Sequence, residues 1–512
     1  MNIGETIFSA FLQALFQQLM SPGVISGFLK LFGGENLPKT IKKCKDQLTV
    51  METLLRSAEQ KQIDDEVVRP LKEDLQDIAL DLEDILDELA TQAHLYELEK
   101  MDQEDDNNDH QLNPTNHVSE FLGSSANHMV KNIIGRAAES VSTLFNPIAS
   151  ISSRLDRITE RLHDLQLLLQ FSGLSAIHAM PQQTHQAESS HRSRETSSLL
   201  DHDPDLVEMQ DDIIEKCKGL PLTVKTLAGL LKSTVDKRQR QEILDSSLWS
   251  QKNDLLPALM LSYRHLPPHL KHIFAYMSIT PKNVRFSEEF SVLQWMAQGF
   301  LAENKTSRME DIGHNYFLDL VSRSLIEKYR GNMFIMHDLI HDLAQWAAGD
   351  LSCIIGPGNK PRDLKRTRHL CITKHSSDGT LGNQLSGSQL RTFRMFDDNP
   401  NIEILDFLQK FQYVRFLHLN SELIEELPEC IGGLKQLRFL SITSEKIQVL
   451  PKSISRLFNL QTLKLGGCYN LKEVPHVGFL VKLRRLYIRM TSLKEMPLGF
   501  GNGETDKPAD FR

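Results

Sequence analysis

The sequence predicts a multidomain protein that is mainly α-helical and ends in an α/β solenoid. Over much of the first 200 residues, apolar side chains recur at helical spacings, which indicates amphipathic helices. Near the end of the chain the pattern changes to short strand-like segments that return every 23 residues. A fixed period of this length is typical of a leucine-rich repeat, in which each unit adds one strand to a shared core. The four clear copies are VRFLHL, LRFLSI, LQTLKL and LRRLYI, beginning at Val414, Leu437, Leu460 and Leu483.

Two sets of repeat positions have predictable directions. Positions 1, 4 and 6, such as Leu460, Leu463 and Leu465, are expected to point into the core, because no single unit can bury its own apolar face. Position 2 is expected to face the concave side. Because strands stack about 4.8 Å apart, its side chains form a basic ladder that needs carboxylates opposite it. The ladder consists of Arg391, Arg415, Arg438, Gln461 and Arg484.

The repeat array is predicted to occupy residues 365–512. Two looser copies, LRTFRM from Leu390 and RHLCI around Leu370, precede the clear ones and bring the array to about five or six units. After Met496-Pro497 the chain turns polar and glycine-rich and offers no capping repeat, although a stack of repeats needs a polar terminal unit. We therefore expect a shortened version of a longer receptor-like chain.

Residues 1–175 are predicted to form a four-helix bundle. The first helix has a wide apolar face with Glu5 as its one charged residue, and a polar acidic loop precedes the last helix at 102–116. A segment rich in Gln, His, Ser and Arg then predicts a linker at 176–201. The four helices are expected at 3–20, 41–55, 67–98 and 151–169.

The third of these helices carries LQDIALDLEDILDELAT at 75–91, in which acidic side chains crowd every face except one. Like charges at this density destabilise a helix unless basic groups meet them. A solvated helix face is one interpretation of this pattern. The alternative is a basic partner for Glu83, Asp84 and Asp87. The apolar stripe of the helix consists of Leu75, Ile78, Leu82, Ile85 and Leu89.

Several motifs resemble those of one protein family. Glu83-Asp84-Ile85-Leu86-Asp87 resembles the acidic EDVID-type motif of the N-terminal coiled-coil domain in plant intracellular immune receptors. The chain is similar to the coiled-coil NB-ARC leucine-rich-repeat disease-resistance family in further motifs that follow in the family's order. These are GLPL at 219–222, LPALMLSYRHLPPHLKHIFAYMSITPK at 256–282, LQWMAQGFL at 293–301 and the MHD triplet Met336-His337-Asp338.

The resemblance implies a remnant helical ARC1 segment at 202–250 and a winged-helix domain at 251–350, but the family's phosphate-binding loop is missing. No G-x-x-x-x-G-K-[ST] occurs in the 512 residues, and Lys232-Ser233 in GLLKST lacks the required preceding glycine. By resemblance, Pro221 would line an adenine pocket and His337 would approach the ADP phosphate. These two residues would form only half of a nucleotide-binding site. We therefore expect no cofactor, although the family binds ADP or ATP.

The resemblance further implies a plant-defence, disease-resistance immune receptor that acts by protein–protein interaction in the cytoplasm. Its repeats would recognise a pathogen effector or a guarded host protein, and its helical bundle would signal, at the periphery of the plasma membrane on activation. Full-length receptors of the family are further expected partners. The alternative is a nucleotide-dependent ATPase switch whose P-loop is missing from this gene model.

An intramolecular clamp is also expected, because in the resting family member the acidic helix is held against the repeats. Charge-assisted hydrogen bonds would join the two charge sets. The carboxylates are those of Glu83, Asp84 and Asp87, and the guanidinium groups are those of Arg391, Arg415 and Arg438.

Other classes of function are disfavoured. The net charge of −9 offers no bulk basic surface for nucleic acid, and SVLQWMAQGFL, taken as the exposed helix of the winged-helix domain, contains no Lys or Arg. His337 and His341 have the spacing of a zinc-binding helix, but Asp338 replaces the usual Glu and no third ligand follows. No nucleophile, base and orienting group stand in a recognisable set, so no enzymatic activity is expected.

Overall fold

A computed structural model divides the chain into two compact units, which comprise residues 1–2 with 12–181 and residues 3–11 with 182–512. The predicted helix at 3–20, the loop at 102–116 and the linker at 176–201 lie outside the described residues. Among the residues described, no helix is both long and apolar enough to cross a lipid bilayer. The structure describes residues 42–43, 46, 49–50, 73–92, 151, 153–165, 209–217, 220–234, 236–246, 249, 257–301, 307–356, 364–373, 389–396, 408–422, 424–497 and 504–506.

The first unit contains two helical segments that are described in detail, α1 at 73–92 and α2 at 153–165. They run antiparallel, because Arg154 pairs with Glu88 at 2.7 Å while Arg161 lies 3.8 Å from Asp81. The predicted apolar stripe of α1 is confirmed as buried, as is that of α2. The buried residues are Leu75, Ile78, Leu82, Ile85 and Leu89 in α1 and Leu155, Ile158, Leu162 and Leu165 in α2.

The second unit begins with four described helices. Pro221 starts the second of them, at the position where the N–H that proline lacks would have no helical partner. Asp236 caps the third, because its side chain accepts a hydrogen bond from the N–H of Arg238 at 2.9 Å. Lys232 and Ser233 end the second helix, as predicted, and do not follow a strand. The helices are α3 (Gln210–Cys217), α4 (Pro221–Ser233), α5 (Lys237–Leu244) and α6 (Pro257–Arg264).

The next part of the chain has the arrangement expected of a winged helix, with helices around a small antiparallel sheet. The sheet has the strand order β1, β3, β2, and its β2–β3 hairpin is called the wing below. The helix Glu288–Gln298 is capped at its start by the side chain of Ser287. It ends at Gly299, whose φ of +82° lies in the left-handed region. The elements are α7 (Pro268–Met277), β1 (Phe286–Ser287), α8 (Glu288–Gln298), α9 (Met309–Ser322), β2 (Glu327–Lys328), β3 (Met333–Ile335) and α10 (Asp338–Ala348).

Within the described residues, the repeats form a parallel sheet of eight strands. The order of the strands in the sheet follows the chain. The predicted core positions are confirmed, since Leu460, Leu463 and Leu465 are all fully buried. Short 3-10 helices such as Glu429–Gly433 and Lys452–Arg456 return the chain from one strand to the next. The strands are β4 (Ser352–Ile355), β5 (His369–Ile372), β6 (Thr392–Phe396), β7 (Phe416–Asn420), β8 (Phe439–Thr443), β9 (Thr462–Lys464), β10 (Arg485–Tyr487) and β11 (Glu504–Asp506).

Two of these strands are not among the repeat copies that the sequence predicts. β4 pairs with β5 from Ser352 onward, before the predicted boundary at 365, and β11 pairs with β10 in the tail, where no further unit was expected after Met496-Pro497. Neither strand shows the leucine spacing of the central repeats. A strand at the end of a sheet can be held by the hydrogen bonds to one neighbour alone. The sheet therefore extends further in both directions than the leucine pattern.

The hydrophobic core of the winged helix continues into the concave face of the sheet. Trp295 of α8 and Phe317 of α9 belong to the same buried cluster as Cys371, Phe416 and Phe439 of the strands. The opposite face of the sheet covers a separate core, built mainly from the leucines of the repeats. The winged helix and the repeats are therefore packed together across one apolar contact.

Candidate functional site

The arginines at position 2 stack in one column, as predicted. The main-chain N–H of Arg415 donates to the carbonyl of Arg391 at 2.8 Å, and that of Arg438 donates to the carbonyl of Arg415 at 2.8 Å. Gln461 and Arg484 continue the same chain of hydrogen bonds, at 2.7 and 2.8 Å. The column is called the arginine column below.

The column also contains Arg368, which the sequence analysis missed. The N–H of Arg391 donates to the carbonyl of Arg368 at 2.7 Å, and the Arg368 side chain is buried. Its signal was present in the sequence, because Arg368 stands two residues before Leu370 just as Arg415 stands two residues before Leu417. The first copy of the repeat departs so far from the leucine pattern that position 2 was not recognised there.

Helix α8 lies across the column and presents its C-terminal end to two of the arginines. Arg415 donates from Nη1 to the carbonyl of Gln298 at 2.9 Å, and Arg438 donates from Nη1 to the carbonyl of Ala297 at 3.4 Å. The last carbonyls of a helix have no partner inside the helix and carry the negative end of its dipole. The two guanidinium groups therefore satisfy carbonyls that would otherwise be left without donors.

The side chain of Gln298 extends the polar contact to the next strand. Its Nε2 donates to Oγ1 of Thr392 at 2.9 Å, and that hydroxyl lies 3.3 Å from Oη of Tyr276 in α7. Gln298, Thr392 and Tyr276 are all buried. A buried polar group that lost its partner here would retain the full cost of leaving water, so the three groups fix the position of α8 over β6.

An aromatic cluster lies at the centre of the same contact. Phe416 and Phe439 stack on neighbouring strands with ring centroids 4.3 Å apart. Phe290 of α8 meets both rings edge-on, at 6.1 and 6.0 Å. Such edge-on pairs add about 0.5 to 1.5 kcal/mol beyond the burial of apolar area. Phe290 therefore anchors the first turns of α8 as the arginines anchor its end.

Two carboxylates complete the contact at the later strands. Glu289, in the first turn of α8, accepts hydrogen bonds from Nη1 of Arg485 at 3.2 Å and from Oη of Tyr487 at 2.6 Å. Glu310 of α9 pairs with Nη2 of Arg484 at 3.0 Å. Glu289 in the first turn of α8 and the arginines at its last carbonyls carry the signs of charge that the helix dipole favours at each end.

His418 is buried beside this cluster, among aromatic rings and near two positively charged side chains. The ring lies 6.1 Å from Phe290 and 4.9 Å from Phe396. Burial, together with the positive charges of Arg394 and Lys464, lowers the pKa of His418 to about 3. The imidazole therefore stays neutral in the folded protein over the range in which an exposed histidine titrates.

The burial of α8 corrects one expectation from the sequence. The sequence predicts SVLQWMAQGFL as an exposed helix, but Trp295, Met296 and Ala297 are buried, and so is every other residue from 291 to 298. One side of α8 packs on the winged-helix core and the other on the repeats. A helix that is apolar nearly all round is a buried helix.

The acidic residues of α1 are not a solvated face. The exposed fractions of Glu83, Asp84 and Asp87 are 9, 3 and 4%. Buried carboxylates need partners that offset the loss of hydration. The pairing of these residues with Arg391, Arg415 and Arg438 stays a prediction.

The two residues predicted for the nucleotide pocket lie at the starts of two different helices. Pro221 is exposed at the first position of α4, and His337 is an exposed cap whose Nδ1 accepts the N–H of Leu339 at 3.2 Å. The lone pair of His337 is thus directed at its own helix. No phosphate-binding loop exists in the sequence to complete the pocket.

The second histidine of the zinc-like spacing is also engaged in the fold. Nε2 of His341 lies 2.7 Å from the carbonyl of Thr280, and burial lowers its pKa. Within the described residues, no group of three or more His, Cys, Asp or Glu side chains could hold a metal ion.

Family models match three parts of the chain. An Rx N-terminal domain matches residues 7–117, a disease resistance protein winged helix domain matches 279–344, and a leucine-rich repeat region matches 389–504. Named disease-resistance proteins of plants are similar to parts of this chain as well. In these three parts the chain is therefore similar to plant disease-resistance proteins that combine an N-terminal helical domain, a winged helix and leucine-rich repeats.

Individual relatives share parts of their length with this chain. An RPP13-like disease resistance protein of Arabidopsis thaliana is 43% identical over 167 residues, which are 32% of this chain and 16% of the relative. Disease resistance protein RGA2 of Solanum bulbocastanum is 37% identical over 275 residues, which are 52% of this chain and 26% of the relative. The chain thus spans 16 and 26% of the length of these two curated relatives.

Gly299 gives a direct test of the contact between α8 and the arginine column. Its φ is +82°, and a Cβ placed there would lie 2.9 Å from Nη1 of Arg438. We expect Gly299→Ala to lower the free energy of unfolding by about 1 kcal/mol for the left-handed backbone, and by more because Arg438 must move. Urea unfolding followed by fluorescence of Trp295 and Trp346 measures the change.

Gly331→Ala is the matched control, because Gly331 also has a positive φ of +56° but a Cβ there meets nothing within 4 Å. Gly299→Ala should be the more damaging of the two. Equal losses of stability would show that Arg438 does not depend on the space at Gly299.

His418 predicts a specific loss of stability in acid. Its folded pKa of about 3 lies below the value of an unfolded histidine, so stability from this group is fully present above pH 6.5 and is lost as pH falls towards 3. Between pH 7 and pH 5 the loss is about 2 kcal/mol. His418→Phe keeps the ring and removes the titration. Urea unfolding at both pH values should show a smaller acid effect in this variant than in the unaltered chain, and identical effects would contradict the prediction.

Proposed function

We propose that this protein is a receptor-like component of plant defence that acts by protein–protein contacts and not by catalysis. The seating of α8 on the arginine column carries the proposal. The concave face of a leucine-rich repeat is the surface with which such arrays bind partners. Here that face also holds the winged helix, so a partner that binds the same arginines competes with α8.

The partners of the repeats are a pathogen effector or a guarded host protein, and a full-length receptor of the family is a further candidate. The proposed location is the cytoplasm, with peripheral association at the plasma membrane on activation. The repeats form a solenoid and the N-terminal helices a four-helix bundle in this proposal. In this proposal the domains are residues 1–175, 176–201, 202–250 and 251–350. The repeats follow from residue 365, and the strand β4 lies just before them.

A charge clamp between the acidic helix and the repeats is the resting state in this proposal. Burial of Glu83, Asp84 and Asp87 supports it, because buried carboxylates are stable only when positive groups or hydrogen-bond donors compensate them. Arg391 is buried as well, with 4% of its surface exposed. Arg391 stands next to Arg415 in the arginine column, because the N–H of Arg415 donates to the carbonyl of Arg391 at 2.8 Å.

Charge reversal at Arg391 tests the function together with the clamp. We expect Arg391→Glu to weaken binding between separately expressed fragments 1–175 and 182–512 by at least about tenfold, because one buried pair becomes a repulsion. The second fragment keeps the winged helix, since its core is continuous with that of the repeats. In the full chain expressed in leaves, the same variant should raise ion leakage, the measure of defence-related cell death.

Compensation by the opposite reversal is the critical outcome. Glu83→Arg, Asp84→Arg or Asp87→Arg, each combined with Arg391→Glu, should restore part of the fragment binding in at least one combination. Arg484→Glu is the matched control, because Arg484 pairs with Glu310 and reversals in α1 should not rescue it. If no combination restores binding, the clamp is not formed by these residues. If binding responds but leakage does not, the signalling role fails while the clamp stands.

The missing phosphate-binding motif in the sequence makes a second prediction. The protein should bind ADP and ATP no more tightly than about millimolar, the level that one or two weak contacts supply. Isothermal titration of the full chain with ADP and magnesium measures this. A micromolar dissociation constant would support the alternative, a nucleotide-dependent switch, and His337→Ala would then be expected to weaken it.

A further inference from the structure

The wing carries an exposed basic and aromatic surface that the contact with the repeats does not use. Two side chains of the wing and one from the segment before β1 are well exposed for their type, with 40% of Tyr329, 36% of Met333 and 39% of Val284 accessible. Exposed basic side chains lie beside them. We define the wing patch as Val284, Arg285, Lys328, Tyr329, Arg330 and Met333.

Two arginines of the patch are ordered around one tyrosine ring. Cζ of Arg285 lies 4.2 Å from the centre of the Tyr329 ring, and its Nη2 donates to the Tyr329 hydroxyl at 3.0 Å. Arg330 approaches the same ring at 5.7 Å. Stacking on an aromatic ring holds a planar guanidinium group in place, so less side-chain freedom is lost when it binds a ligand.

The positive charge of the patch is not neutralised by neighbouring carboxylates. In the described part of the chain, Arg285, Lys328 and Arg330 take part in no ion pair. Glu327, the adjacent acid on β2, pairs instead with Lys225 at 3.4 Å. The chain as a whole has a net charge of −9, so this patch is a local reversal of the overall charge.

From this geometry we infer that the wing patch binds an acidic surface of a partner protein. Arginine, tyrosine and methionine are the residues enriched in protein interfaces, and tyrosine and arginine are prominent among those that contribute most to binding. Two guanidinium groups held in fixed planes match carboxylates, which they can bind through two hydrogen bonds each. Val284 and Met333 supply apolar contact for a hydrophobic side chain next to those carboxylates.

The surroundings of the patch favour a protein over nucleic acid or a membrane. Helix α9, which precedes the wing, carries Glu310, Asp311 and Asp319 and contains no Lys or Arg. A phosphate backbone that followed the wing onto this helix would meet no basic side chain of the helix. An anionic bilayer attracts any cluster of point charges and gains little from guanidinium groups fixed in one plane.

A defined acidic peptide tests the inference. The probe is a fluorescein-labelled synthetic peptide of repeated Glu-Glu-Leu, with repeated Gln-Gln-Leu as its uncharged counterpart, titrated with the full chain at low salt. Fluorescence anisotropy should show binding of the acidic peptide only. Arg285→Glu combined with Arg330→Glu should weaken that binding at least about tenfold. Tyr329→Leu should weaken it less, because the charges remain but the stacked arrangement is lost.

The matched control is Lys452→Glu combined with Arg489→Glu, which makes the same charge change at exposed positions of the repeats. It should leave peptide binding nearly unchanged. Unfolding followed by tryptophan fluorescence verifies that all variants are folded. Absence of peptide binding, or an equal loss in the wing and control variants, would overturn the inference. The inference would also be overturned by a wing variant that lost binding to anionic phospholipid vesicles or to a single-stranded oligonucleotide but still bound the peptide as before.

Discussion

The docking of the end of α8 on the arginine column is the contact on which the rest of the C-terminal unit depends. A column of stacked arginines needs acceptors, and the last carbonyls of a helix need donors. Both requirements are satisfied where Arg415 donates to the carbonyl of Gln298 and Arg438 donates to the carbonyl of Ala297. Removing one partner leaves a buried polar group without its hydrogen bond, at a cost of about 1 to 3 kcal/mol, and more for a charged group. The stack of Phe290, Phe416 and Phe439 then covers the contact with apolar surface.

This arrangement restricts how the repeats can meet another protein. Because the contacts of α8 extend over the concave face from β6 to β10, a partner either displaces that helix or binds at surfaces that remain open. Tyr469 and Met490, which follow β9 and β10, are 47 and 53% exposed and offer one such surface. Displacement would couple recognition to the winged helix, since the aromatic core and the hydrogen bonds would be lost together. The size of that coupling is set by the difference in affinity of the partner for the docked and undocked states.

Much of the fold was accessible from the sequence because leucine spacing and helical spacing each report burial directly. The stripe of α1, the core of the repeats and the alignment of the arginine column were all predicted. The occupant of the column was not, because its partner atoms at the end of α8 are main-chain carbonyls, which no side-chain pattern reveals. β4 and β11 were missed because strands at the ends of a sheet need no leucine core of their own. His418 gave no signal, since its altered pKa arises from burial by a helix distant in the chain.

Hydrogen exchange of the backbone amides in α8 tests the docking most directly. Exchange rates report local opening, and a helix held by buried contacts opens rarely. In a chain carrying Arg415→Gln and Arg438→Gln, the account predicts that the amides of residues 292–299 exchange at least about tenfold faster, while those of α4 to α6 keep their rates. Unchanged exchange in α8, with the variant folded, would contradict the claim that the arginine column holds the winged helix against the repeats.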